Sequence, residues 1–568
     1  MLSPEAAAVL KARYLLGSET PPEMFMRVAK HVARAEERFG DDWKAAAKQY
    51  QQIMTDLEFL PNSPTLMNAG KPNAQLAACF VLPVEDSLAG IFETLKHAAL
   101  IQQSGGGTGF SFSRLRPKGG RIATTGGPAG GPVSFMHVYN TAAQAVKQGA
   151  VRSGANMAVL RVDHPDIMEF IEVKHQRDVL NNFNLSVAVT DEFMAAVAEG
   201  SPFTLLDPHT KGIAATVEAR EIYDRLVAMA WENGEPGLFF IDTVNRANPT
   251  PALGDFESPN PCSEQPLLPY ESCTLGSVNL ARMVKTARGQ ACLDEDKLRQ
   301  VVRTAVRFLD NVIEINQFPL QAVAEQTRLT RKIGLGIMGL ADLLIMLELP
   351  YASREAVQMT ERVMKLITSE ARNMSVELAV RRGSFPAFEA SVFAGQGYTA
   401  MRNATVTTIA PAGSISIIGQ CSSGIEPLFA LAFTRQALDG RVLTSTNPVA
   451  WRYLADRGLL NDALAAFIKS TGSAAGTDLP AEVKAVLAVA HEIEPYWHVA
   501  HLAAAQRHTD NGVSKTVNLP KDAPLEVVDQ IFQEAYRSGC KGVTVYRDTS
   551  RSGQVLTHGT TGCAKCEQ

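Results

Sequence analysis

The chain of 568 residues is 46% hydrophobic and 20% charged, and 54 basic against 59 acidic side chains leave a net charge of −5. That composition suits a large buried core and offers no electrostatic grip on nucleic acid. No window approaches the roughly 18 uninterrupted apolar residues of a membrane span, and eight cysteines scattered over this length make no disulfide framework.

The opening stretch MLSPEAAAVLKARYLL lacks the basic start, apolar run and small-residue cleavage site of a secretory signal, so the cytoplasm, where thiols stay reduced, is the expected setting. Ser3-Pro4-Glu5 reads as a helix start, and helical periodicity with mixed charge continues to about Leu60, which predicts an N-terminal helical region over 1–60. Beyond Pro61 the strand-like runs AACFVLPV, NFNLSVAVT, NATVTTIAP, VSKTVNLP and GVTVYR alternate with amphipathic helices. The last two flank PLEVVDQIFQEAYRSG as a βαβ unit would. An α/β sheet or barrel is predicted over 61–548, and the polar, Gly-rich stretch 549–568 is predicted to be a mobile tail.

Within the α/β region, Ser258 to Leu280 reads SPNPCSEQPLLPYESCTLGSVNL. Pro259 and Pro261 fix φ and push the residues before them into extended conformations, which predicts an extended run from Ser258 to Glu264. Alternate side chains of such a run share a face, so Asn260, Cys262 and Glu264 are expected side by side. A lone cysteine is more often an inert core residue. Here Cys273 follows in ESCTLGSVNL, and Cys79 lies upstream in AACFVLPVEDS. Three cysteines of this kind invite a division of labour, one acting as a reactive thiol and two as a dithiol that gives up two electrons on forming a disulfide. The spacing alone does not say that they meet.

Taken in order, LPNSPTLMNAG, AACFVLPVEDS, QSGGGTGFSFSRLRPKGG, KQGAVRSGANM, NPCSEQPL with SCTLGSVNL, and APAGSISIIGQCSSGIEP resemble the motifs of ribonucleotide reductase catalytic subunits. They look most like the class II enzymes that depend on adenosylcobalamin, and the resemblance runs from about Leu2 to Asp548. It implies a ten-stranded α/β barrel of two five-stranded halves, with a central finger loop carrying Cys262 and the N-terminal helical region alongside. It also implies that a Cys262 thiyl radical takes the ribose 3′ hydrogen, that Glu264 accepts the 3′-hydroxyl proton and that Asn260 hydrogen-bonds the ribose hydroxyls. Cys79 and Cys273 match the pair that protonates the departing 2′-hydroxyl and supplies both electrons.

The same resemblance implies a substrate site. Pro411, Ala412, Gly413, Ser414 and Ser416 would bind phosphate at a predicted helix start, where a plain tight turn is the bland alternative. Ser63, Ala78 and Gly107 match other substrate-lining positions. Gln148 and Arg152 fall in the loop from Lys147 to Asn156 that reads the substrate base. The glycines of QSGGGTG are weak evidence by themselves, since they fit packing as well as nucleotide binding. Asp86, Ser87 and Arg116 match a specificity site for a deoxynucleoside triphosphate effector, with Arg116 facing the triphosphate; solvated surface charge is the alternative for Arg116 and Arg152.

Two departures set the subclass. GVTVYRDTSR carries Val545 before Tyr546 where class I enzymes have adjacent tyrosines for radical transfer, and nothing after Gly539 matches the class III glycyl-radical motif. Adenosylcobalamin is the remaining radical source in the family. No D-x-H-x-x-G signature is present, so no cobalamin contacts are named. Cys563 and Cys566 in GCAKCEQ suit a shuttle that reduces the Cys79–Cys273 disulfide and is itself reduced by thioredoxin or a glutaredoxin-like protein. A zinc knuckle would have His558 as just a third local ligand, and no metal site is implied. Cys292, Cys421 and Cys540 are expected to pack as small hydrophobes. The resemblance implies a ribonucleoside di- or triphosphate as substrate, and a homodimer is expected. Leu60 to Ser63 lie too near the start to leave room for the family's N-terminal ATP-binding cone. A silent nucleotide-binding protein is the rival reading, against which the five placed cysteines argue.

Overall fold

Ser3 accepts a hydrogen bond from the Ala6 amide at 3.1 Å and, with Pro4 in the first turn, starts the helix Pro4–Arg13. A capping box of Thr20 and Glu23 begins the next helix, Pro21–Ala33, and Asp42 caps Trp43–Thr55. Met24, Phe25, Val28, Tyr50 and Met54 of this helical layer are buried in one core with Phe308 and Val312 of the long helix Glu295–Ile315. At the centre of that contact Glu36, fully buried, takes ion pairs from Arg307 and Arg382 and hydrogen bonds from Asn311 and Tyr50. The computed structural model describes residues 2–122, 126–147, 154–176, 178–436, 442–550 and 556–558.

The main sheet begins with β1 (Phe59–Pro61), followed by β2 (Cys79–Pro83), β3 (Gly107–Ser111), β4 (Asn156–Arg161), β5 (Phe183–Val189) and β6 (Gly237–Phe240). From β2 to β6 every neighbour is parallel. The second half comprises β7 (Ser272–Asn279), β8 (Ile333–Met338), the segment 405–409, β9 (Thr516–Leu519) and β10 (Gly542–Arg547). In it β7 runs parallel to β8 and β9 parallel to β10. Single parallel bridges, Leu335 to Thr407 and Ile409 to Val513, carry the pairing across the gap. Antiparallel seams join the halves, β7 to β2 and β10 to β6. The chain thus closes a ring of two five-membered parallel halves, and β1 pairs with β7 beyond the β2 contact. The predicted NATVTTIAP strand forms bridges rather than a full ladder. Its backbone serves both neighbours at once, with Ile333 N donating to Thr405 O and Asn511 N to Thr407 O.

A hairpin of Ser258–Pro259 against Pro266–Leu267 enters this ring. Glycines clear its path. A Cβ on Gly109 of β3 would overlap the Pro259 carbonyl, and one on Gly107 would stand 3.1 Å from the Pro261 ring. On the other half, a Cβ on Gly512 would lie 2.6 Å from the Ser263 carbonyl. Gly109 and Gly512 therefore serve the close approach of the hairpin backbone to each half. No helix among the described residues is long and apolar enough to cross a membrane.

Candidate active site

The hairpin tip departs from the extended run expected of Pro-x-Pro. Asn260 and Gln265 close it through Asn260 N to Gln265 O and Gln265 N to Asn260 Oδ1, at 3.0 and 2.9 Å. Ser263 N donates to Asn260 O at 3.0 Å, and Ser263 adopts φ +64°. A tight turn therefore replaces strand alternation. It buries Asn260 and Glu264 while Cys262 remains exposed. The tip is held from both halves: Asn184 of β5 donates to Pro261 O at 2.7 Å, and Thr408 Oγ1 and Gly512 N donate to Glu264 O at 2.7 and 2.9 Å.

Cys79 and Cys273 face each other across the β2–β7 seam, both as buried free thiols. Asn260 Nδ2 lies 3.0 Å from Cys79 Sγ, so the hairpin tip touches the pair. Burial pushes the Cys79 thiol well up; the charges of Glu264, Cys273 and Cys262 add to this, and the Asn260 hydrogen bond opposes it. Burial likewise raises Cys273, with Lys332 opposing and Glu264 and Glu271 reinforcing. Both groups are protonated at neutral pH and able to donate hydrogen.

On its exposed side Cys262 opens into a cavity of about 310 Å³ that also reaches Pro411, Asn184, Lys515, Thr544 and Tyr546. Lys515 is buried and fully used, pairing with Glu426, donating to His498 Nδ1 at 2.9 Å and to Thr516 O at 2.7 Å. A larger cleft of about 1050 Å³ lies between Trp43–Thr55 and the helices Glu295–Ile315 and Arg354–Arg382, and its lining carries no thiol.

Pro411 leads into the helix Gly413–Gly419. Ala412 sits at its N-cap with φ +57° and no side-chain cap, which leaves the first-turn amides of Gly413 and Ser414 without a capping side chain. Ser416 Oγ bonds Gly413 O at 3.2 Å and Ser423 Oγ at 3.0 Å. Ser63 opens the helix Ser63–Asn68 and meets Tyr14 Oη at 2.9 Å. Ala78 and Gly107 adjoin the Cys79 end of the β2–β3 pair, with Gly107 N bonded to Ala78 O at 2.9 Å. Just beyond β2, Ser87 caps the helix Leu88–Gln103, and Asp86 grips Arg116 at 2.9 Å. Gln148, Arg152, Cys563 and Cys566 lie outside the described residues. Cys540 is buried as expected, whereas Cys292 lies only half-buried in a surface hairpin, Val284–Ala287 against Gln290–Leu293.

Sequence reasoning missed Lys332 and Glu271, a fully buried ion pair at 2.6 Å beside Cys273. It also missed the anchors Asn184 and Thr408. Buried charges look like surface charges in a sequence, and their only signal was the strand that begins at the next residue after each.

The ribonucleotide reductase barrel-domain model matches residues 77–400 and 396–546, and the model for the all-alpha domain of ribonucleotide reductase matches residues 1–74. A vitamin B12-dependent ribonucleoside-diphosphate reductase of Thermoplasma acidophilum is 50% identical over 521 residues, 92% of this chain and 67% of that protein. One of Mycobacterium tuberculosis is 49% identical over 566 residues, 98% of this chain and 79% of that protein. The solved class Id ribonucleotide reductase alpha subunit of Actinobacillus ureae superposes with a TM-score of 0.79 at 23% identity, covering 96% of this chain and 97% of the other, a likeness of fold. With both domains matched along nearly its whole length, the chain belongs to the ribonucleotide reductase large-subunit family.

Proposed function

We propose that this chain reduces ribonucleotides to 2′-deoxyribonucleotides for DNA synthesis and repair, with adenosylcobalamin as radical source. The observation that carries the reading is the convergence on one hairpin tip of a reactive-thiol candidate, Cys262, and a facing thiol pair, Cys79 and Cys273, linked to it through Asn260. The names of the Thermoplasma and Mycobacterium relatives support the cofactor and favour a ribonucleoside diphosphate as substrate.

The cavity on the far side of Cys262 fits the adenosyl part of the cofactor rather than a whole corrin. Asn184 and Thr544 offer polar contacts there, and Tyr546 an aromatic wall. When bound, adenosylcobalamin supplies the radical that Cys262 takes up. The Cys262 thiyl removes the 3′ hydrogen, and Glu264 receives the 3′-hydroxyl proton. The protonated pair then supplies two protons and two electrons: one proton goes to the 2′-hydroxyl, which leaves as water, the other hydrogen ends on C2′, and Cys79 and Cys273 join as a disulfide. Glu264 then returns the 3′-hydroxyl proton, and Cys262 gives the 3′ hydrogen back to C3′ and is again the thiyl. Asn260 holds Cys79 toward the ribose. Pro411 to Ser416 meet the phosphates, with Ser63, Ala78 and Gly107 lining the sugar and Gln148 and Arg152 reading the base.

Asp86, Ser87 and Arg116 form the effector site, where the Asp86 carboxylate pre-aligns the guanidinium. The neighbouring helices Leu88–Gln103 and Gly131–Lys147 expose Leu88, Phe92, Leu100 and Val138, an apolar face suited to a homodimer. Cys563 and Cys566 pass electrons from thioredoxin or a glutaredoxin-like protein in the cytoplasm, and the chain divides into a helical region 1–60, a barrel 61–548 and a redox tail 549–568. Turnover of CDP and CTP under a dithiol, with and without adenosylcobalamin, tests the reading. Formation of dCDP only with the cofactor is expected, and reduction without it would refute the assignment.

A further inference from the structure

Cys79 and Cys273 stand in unequal surroundings. Both are buried, Cys79 at 5% exposed and Cys273 at 0%, which leaves Cys79 the more reachable of the two. Thr274 of β7 is registered with Ile333 of β8, which puts Lys332 at the adjoining position beside Cys273. The Lys332 ammonium is held there by Glu271 Oε2 at 2.6 Å and lies 4.5 Å over the Phe256 ring. Glu271 is itself spent on Leu268 N and Thr330 Oγ1, both at 2.7 Å. Among the charges acting on Cys273, Lys332 precedes Glu264 and Glu271, while on Cys79 the charges of Glu264, Cys273 and Cys262 are all unfavourable to a thiolate. A buried ammonium, itself paired with Glu271, thus adjoins one sulfur of the pair and not the other.

We infer that Lys332 is a positioning residue that sets the order of thiol exchange, making Cys273 the leaving thiolate when a reductant attacks the oxidised pair at Cys79. The inference rests on the proposed redox role of that pair. A reductant thiolate bonds to Cys79 Sγ, the Cys79–Cys273 bond breaks, and its electron pair leaves on Cys273 beside the ammonium. A second reductant thiolate then attacks the reductant sulfur of the mixed disulfide and releases Cys79 as thiolate. The reductant leaves as a disulfide having given two electrons, and two protons from solvent complete the two thiols. Departure is faster the better the leaving thiolate is stabilised.

The full-length protein, oxidised and then exposed briefly to limiting cysteamine and quenched in acid, should carry the cysteamine adduct on the Cys79 peptide with Cys273 free. Dithiothreitol should reduce the pair about tenfold more slowly in Lys332→Met/Glu271→Gln, which removes both buried charges together so that neither is stranded. Lys332→Arg should restore the rate, which a merely structural role for the side chain would not require. Adduct on Cys273 in the unaltered protein, a measurement that depends on no variant, would overturn the inference, as would an unchanged rate in a folded neutral double variant. If oxidation or turnover leaves no Cys79–Cys273 disulfide at all, the redox pair itself fails and the inference with it.

Discussion

Cys79 is the direct cross-strand partner of Cys273 at the antiparallel seam where the two halves of the barrel meet. Opposed residues of this kind carry Cβ atoms about 4.5–5.5 Å apart, so a small local adjustment brings the sulfurs into bonding distance. Cys79→Ser and Cys273→Ser should each abolish sustained turnover and disulfide formation while sparing the radical step at Cys262. Cofactor cleavage followed by absorbance, alongside product formation, separates the two. Loss of cofactor cleavage in these variants would argue against the division of roles.

Gly109→Ala should disable the enzyme without unfolding it, because the added Cβ collides with the Pro259 carbonyl, a backbone atom of the hairpin that carries Cys262. Gly395→Ala, which meets nothing within 4 Å, is the control. Deoxynucleotide formation near zero for the first and near normal for the second is expected, with both proteins showing a cooperative thermal transition.

The parallel halves were legible because β2, β5, β9 and β10 are apolar runs bounded by turns, and the β9–helix–β10 unit appears as read, with its helix at Leu525–Arg537. The hairpin tip was not. Its turn depends on the left-handed Ser263 and on glycines at 107, 109 and 512, which lie far away in sequence and whose purpose appears only when two backbones meet. Strand alternation was expected to set Asn260, Cys262 and Glu264 on one face, whereas the turn buries the first and last and leaves Cys262 exposed. Lys332 and Glu271 escaped notice because a buried ion pair has no periodicity of its own.

Glu36 ties the helical layer to the barrel, and its carboxyl is pulled down from an ordinary value of 4.5 to about 2 by Arg307, Asn311 and Arg382 in spite of burial. A depressed folded value stabilises the protein above the ordinary pKa, and the contribution is lost as pH falls from about 4.5 toward 2. Asp310, likewise held at about 2 by its arginines, acts in the same window. Glu36→Gln takes one carboxylate from buried Arg382, which keeps Asp310 at 3.1 Å, and should lower stability at neutral pH. In a series of melting temperatures from pH 6 to pH 3, the variant should also show a shallower acid slope than the unaltered protein; an identical slope would remove Glu36 from the account.

Replacing Cys563 and Cys566 together by serine should impair turnover driven by thioredoxin and spare turnover driven by dithiothreitol, which reaches Cys79 directly. Steady-state rates with each reductant decide the matter, and equal losses with both would undercut the shuttle.

The most direct test of the central claim compares dCDP formation from CDP in the unaltered protein and in Cys262→Ser, each with adenosylcobalamin and dithiothreitol. A serine hydroxyl holds its hydrogen too strongly to carry the radical, so product should form with Cys262 and fall to background with serine, while the variant still binds adenosylcobalamin. Sustained dCDP formation by Cys262→Ser would contradict the assignment of the radical to the hairpin tip.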